Sequence, residues 1–97
     1  MTTHIIIGKF TQHGVTNIKD SPKRLEAARK VIKSVGGTLK AFYYTMGQYD
    51  FVCITEGNSD EGLLQALFTI GSAGSVQTET MVAVPADQAA TIIAKVP

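Results

Sequence analysis

Ninety-seven residues, 44% hydrophobic and 18% charged with a net charge of +1, fit one globular domain and are too apolar for a disordered chain. No apolar run approaches the ~20 residues that a membrane-spanning helix needs. Met1-Thr2-Thr3-His4 has neither the basic nor the apolar region of a secretory signal, and Cys53 is the single cysteine, so no internal disulfide or cysteine metal cluster can form. The expectation is one domain over residues 1–97, cytoplasmic and without membrane association.

The first strand is expected over His4–Phe10, where three consecutive isoleucines precede the polar stretch Thr11-Gln12-His13-Gly14. Gly14 suits a turn with positive φ. Ser21-Pro22 reads as a helix start, serine as N-cap and proline at the first helical position, where its missing N–H costs nothing. Leu25, Ala28, Ile32 and Val35 make one apolar stripe at spacings of three and four. Gly36-Gly37 is expected to close that helix.

A hairpin follows. Thr38–Thr45 and Tyr49–Glu56 are its strands, and Met46-Gly47-Gln48 its reversal. Asn58 or Ser59 is placed to cap a second helix, with Asp60 and Glu61 in the first turn where the macrodipole favours acids. Leu63, Leu64, Leu67 and Phe68 are expected to be its buried face, and Gly71–Gly74 its end. The last strand spans Val76–Val84, with Gln77, Glu79 and Met81 on one face and Thr78, Thr80 and Val82 on the other. Pro85 breaks it, and Ala89, Ile92, Ile93 and Val96 predict a short C-terminal helix.

The order β-α-β-β-α-β defines an α+β, ferredoxin-like fold: a four-stranded antiparallel sheet with two helices on one face, plus the tail helix. The first and third strands are nevertheless apolar on both faces, Ile5 and Ile7 opposing Ile6 and Phe10, and Phe51 and Cys53 opposing Val52 and Ile54. A half-solvated sheet alternates apolar with polar. The second face therefore needs a cover, and the simplest is the same face of a second copy.

Charge is uneven. Seven of the nine basic residues lie between positions 19 and 40, giving +5 there and −4 elsewhere. Because Arg24, Lys30 and Lys33 fall away from the apolar stripe, this reads as a solvated helix face and not as a nucleic-acid surface.

Met46-Gly47-Gln48-Tyr49-Asp50 resembles the signature of the GYD-domain family, small bacterial proteins named for a glycine-x-tyrosine-aspartate pattern. Thr11 and Gly14, Ser21-Pro22-x-Arg24-Leu25-Glu26-Ala27, Gly36-Gly37 and Val76-x-Thr78-Glu79-Thr80 follow the same pattern in order. The chain departs from it at Gly57-Asn58, where the family more often has proline after the glutamate. The resemblance implies a dimeric α/β barrel, two ferredoxin-like sheets packed face to face, and brings no reaction with it. The stretch from Tyr44 to Val84 is also similar to the effector-binding domain of leucine-responsive-type regulators, in which amino acids bind near subunit contacts.

The candidate ligand-binding residues are Tyr44, Gly47, Tyr49, Asp50 and Glu79. A glycine permits close backbone approach, a phenol donates, and a carboxylate accepts from amines. The competing reading makes Gly47–Asp50 a tight hairpin with Asp50 bonded to backbone. His4 and His13 read as surface or turn histidines, and Cys53 as a buried small hydrophobe. No residue set is assigned to catalysis, a metal or a cofactor, since no Walker loop, GxGxxG, CxxC or histidine pair at metal spacing occurs. A homodimeric small-molecule-binding or structural module is the first functional expectation. A cofactor-independent monooxygenase or isomerase of the dimeric-barrel kind is the alternative, with Tyr44, Asp50, Glu79 and His4 as its candidate acids and bases.

Overall fold

A computed structural model describes residues 2–97. Its elements are β1 (Thr3–Phe10), α1 (Gln12–Thr16), α2 (Ser21–Ser34), β2 (Thr38–Tyr44), β3 (Phe51–Glu56), α3 (Asp60–Ser72), β4 (Val76–Ala83) and α4 (Ala86–Ile93), with a 3₁₀ turn at Ile18–Asp20. The strands lie in the order β2-β3-β1-β4, every neighbouring pair antiparallel. This is the expected ferredoxin-like arrangement, with one unforeseen irregularity: the β2–β3 register shifts between Leu39 and Ala41.

Alternation assigns the two faces. His4, Ile6 and Gly8 of β1 and Phe51, Cys53 and Thr55 of β3 are buried beneath the helices. Ile6, Leu39 and Cys53 join Ile32 of α2 and Leu63 and Ala66 of α3 in the core, with Leu25, Val31, Val35, Leu67 and Ile70 packed around them. Phe42 stacks on Phe51, their ring centroids 5.2 Å apart. Burial of this apolar surface, at about 25 cal/mol per Å², is the main force holding helices to sheet.

Four expectations about the segment after β1 and the two main helices need correction. Thr11–Gly14 is not an irregular turn: Thr11 caps α1, its Oγ1 accepting from the Gly14 N–H at 3.2 Å. Gly14 is not among the positive-φ glycines, and its need is for space, because a Cβ there would run into the carbonyl oxygen of Ser75. Ser21 is not the N-cap of α2 but its first residue; its hydroxyl shares a 2.8 Å hydrogen bond with the Tyr44 hydroxyl. Leu64 and Phe68 are not buried, being 50% and 69% exposed. The inner stripe of α3 is Leu63, Ala66, Leu67 and Ile70, and each helical step of ~100° carries Leu64 and Phe68 outward.

The fourth correction concerns the basic segment. Lys23, Lys30 and Lys33 are solvated, but Arg24 is half-buried and donates to the carbonyls of Asn17 (2.8 Å) and Gly14 (3.3 Å). It ties α1 and its C-cap to α2. Arg29 donates likewise to the Leu39 carbonyl at 3.1 Å.

Helix ends are set by side chains that the sequence left open. Ser59 caps α3, accepting from the Gly62 N–H. Asn58, fully buried, turns the other way and donates to the carbonyls of Ile32 and Val35 at the end of α2. Gly36 and Gly37 complete that end, donating to Lys33 and Ile32, the paired bonds that close a helix before a chain reversal.

Candidate functional site

The β2–β3 connection is longer than expected, since β2 stops at Tyr44 and β3 starts at Phe51. Two hydrogen bonds from Thr45 close it: its N–H donates to the Asp50 carbonyl at 2.8 Å, and its Oγ1 to the Tyr49 carbonyl at 2.7 Å. Gly47 sits at the tip with φ +109 and nothing nearby. Its backbone conformation, not crowding, calls for glycine.

Asp50 joins this turn to the sheet. Its N–H donates to the Gly8 carbonyl at 2.8 Å, and its carboxylate accepts from the Phe10 N–H at 2.9 Å. The side chain thus extends the β1–β3 ladder past the last strand pair.

Tyr49 lies on the sheet face away from the helices. Its hydroxyl donates to Glu79 Oε2 at 3.2 Å, bridging the hairpin to β4 across β1. The Lys9 ammonium stands 5.5 Å from the Tyr49 ring centroid, within cation–π range. Ile7, Lys9, Tyr49, Gln77, Thr78 and Glu79 line a concavity of about 230 Å³. Partial desolvation raises the Tyr49 pKa above its ordinary value of 10.0, and the hydrogen bond to Glu79 and the repulsion of that carboxylate raise it further. Tyr49 is therefore a neutral donor near neutral pH, poorly suited to act as a base.

Of the five candidate ligand residues, then, the fold brings Tyr49 and Glu79 together. Asp50 adjoins them with its carboxylate committed to backbone, Gly47 projects from the turn, and Tyr44 points to the opposite face, where it meets Ser21. The candidate acids and bases do not converge. His4 is not a surface residue: it is 2% exposed beneath α3, and its Nε2 donates to Asp60 at 2.8 Å. Alternation with Ile6 already turns His4 inward, but nothing local signals Asp60, 56 residues away. His13 is exposed on α1. Cys53 is buried, and that burial pushes its thiol up to about 11. No cluster of three or more potential metal ligands occurs among the described residues.

Around this concavity the same sheet face is apolar. In the strand registers Ile5 lies between Ile54 and Met81, and Ile7 between Val52 and Glu79, with Ala41 and Tyr43 beyond on β2. Among the described residues no helix is packed over them. Tyr43 is 59% and Met81 47% exposed.

A four-stranded ferredoxin-like sheet with one helix-covered and one open apolar face defines the class of protein. The chain belongs to the GYD domain family, whose profile matches residues 4–93. It is similar to a Thermus thermophilus protein called glutamine synthetase and cystathionine beta-lyase binding protein, with 30% identity over 86 residues, 88% of this chain and 90% of that one. Its fold is similar to that of a Mycobacterium tuberculosis leucine response regulatory protein (TM-score 0.64, 17% identity, covering 87% of this chain and 51% of that one). It is also similar to a feast or famine regulatory protein of M. tuberculosis complexed with L-methionine (TM-score 0.65, 16% identity, 88% and 51%). The chain thus spans about half the length of those regulators. No helix among the described residues is long and apolar enough to cross a membrane.

Proposed function

We propose that this chain is a homodimeric, non-catalytic binding module of the cytoplasm, which pairs the open faces of two sheets and presents its outer surfaces to a partner enzyme of nitrogen or sulfur metabolism. The observation that carries the dimer is the uncovered apolar face formed by Ile5, Ile7, Val52, Ile54, Tyr43 and Met81. An exposed patch of this kind marks an interaction site, and a twofold-symmetric pair covers both copies with one contact. The relative that binds glutamine synthetase and cystathionine beta-lyase, similar along most of both chains, supports an enzyme as partner. Calorimetric titration of the purified chain with each of these two enzymes tests this. Saturable binding to at least one is expected; no heat and no co-migration with either would overturn the choice of partner.

A second reading has its own support. The concavity beside Tyr49 sets a carboxylate (Glu79), a cation (Lys9) and a phenol around one small space at the rim of the open face. That set suits a small molecule bearing an amine and an acid. A thermal-shift screen of amino acids on the wild type and on Glu79→Gln separates the readings. Stabilisation that Glu79→Gln removes would favour the small ligand.

A further inference from the structure

Among the described residues, α4 packs extensively against no other element. Val84 and Pro85 carry the backbone out of β4, Pro85 in an extended conformation (φ −54, ψ 144), and the molecule is 52 Å long but only 17 Å thick. No residue of α4 joins the core. Ile92, Ile93 and Val96 are 57%, 65% and 68% exposed. An isolated helix of eight residues is barely stable in water, so this amphipathic segment requires a surface to fold against.

The chain also carries a groove without an occupant. Between α3 and the outer edge of β4 lies a concavity of about 250 Å³ walled by Leu63, Leu64, Leu67 and Val82, with His4 and Asp60 at one end. Phe68 lies one helical turn beyond Leu64 on α3, and Leu64, Phe68 and Val82 are all at least half exposed. Val82 alternates along β4 with Met81 and Ala83 of the open face, so groove and open face meet at a single strand.

We infer that this groove receives α4 of the second copy, the two copies exchanging their C-terminal helices around the edge of the paired sheets. The inference rests on the homodimer proposed above. Chemistry matches at both ends of the contact. The stripe Ala89, Ile92, Ile93 and Val96 meets apolar walls. Lys95, in no ion pair among the described residues, meets Asp60 and Glu61 at the start of the α3 it covers. This fixes the direction, with α4 running antiparallel to that α3. It also accounts for the outward position of Leu64 and Phe68, which a monomer leaves wet.

Site-directed cross-linking tests the exchange. Full-length chains carrying Leu64→Cys with Ile93→Cys, and controls carrying Leu64→Cys with Met46→Cys, are treated with a short bismaleimide at micromolar concentration. Cys53 stays silent because it is buried. Wild-type mass is read in parallel by light scattering. The expected result is a dimeric wild type, a covalent dimer as the main band for Leu64/Ile93, and single chains for the control. A dimeric wild type with a Leu64/Ile93 variant that stays single-chain, linked internally or not at all, overturns the exchange and leaves the dimer standing. Equal covalent dimer in the control overturns it as well. A monomeric wild type overturns both proposals.

Discussion

On one side of the sheet Ile6, Leu39 and Cys53 are sealed by α2 and α3, each no more than 5% exposed. On the other side Ile5 and Ile7 of β1 and Val52 and Ile54 of β3, just as apolar, are only partly covered. The first face satisfies its apolar surface within the chain; the second does not. A strand that is apolar on both sides needs cover on both, and the dimer proposed above supplies it on the second.

The largest effect should come from the sealed face. Leu63, 1% exposed at the centre of the core, should cost about 2–5 kcal/mol on Leu63→Ala through lost transfer energy and the cavity left behind. Urea denaturation measures it, and a loss well under about 1 kcal/mol would mean that this core is not closely packed. The open face should respond differently. Ile54→Asp should raise the dimer dissociation constant ~100-fold or more, about 2.7 kcal/mol, with the far-ultraviolet circular dichroism of the folded chain retained. If Ile54→Asp instead unfolds the chain, the two faces are not the separate structures described above.

The hairpin lies at one end of both faces. Asp50→Ala removes the acceptor of the Phe10 N–H and should cost about 1–2 kcal/mol, while Asp50→Asn keeps an acceptor and should cost less. Gly47→Val puts a β-branched residue at φ +109 and should cost about 1 kcal/mol or more in melting experiments. If Asp50→Ala leaves stability untouched, the ladder extension from β1 to the turn contributes nothing.

The smallest effect is electrostatic. Glu79→Gln should lower the Tyr49 pKa toward its ordinary value, read from phenolate absorbance during a pH titration. Desolvation, the larger cause, persists in the variant. With the folded pKa raised above the unfolded one, the stability that Tyr49 contributes is complete below about pH 10 and is lost as pH rises through the folded value. An unchanged titration in Glu79→Gln would remove Glu79 from the Tyr49 environment.

The sheet and its two helices were legible because glycine, proline and apolar spacing agree at most boundaries, as at Pro22 near the start of α2 and Gly36-Gly37 after its end. The open face was legible from Ile5, Ile7, Val52 and Ile54 alone. Three features were not. α3 is apolar on more than one side, so its periodicity could not separate Leu63 and Ala66 from Leu64 and Phe68. α1 is too short to show a period, and its Thr11 makes contacts with Gly14 and, 63 residues away, Gly74. Of the candidate site, Tyr49 and Glu79 were identified separately. Their pairing depends on β4 lying beside β1, which no local motif states, and the same long-range register turns Tyr44 away from them.

In the proposed dimer the open face of each chain is covered by that of a second copy. Multi-angle light scattering across a dilution series from high to low micromolar concentration tests it most directly. The predicted result is a mass twice the 10.4 kDa of one chain over the micromolar range, falling to one chain for Ile54→Asp. A wild type that remains at one chain's mass throughout would contradict it.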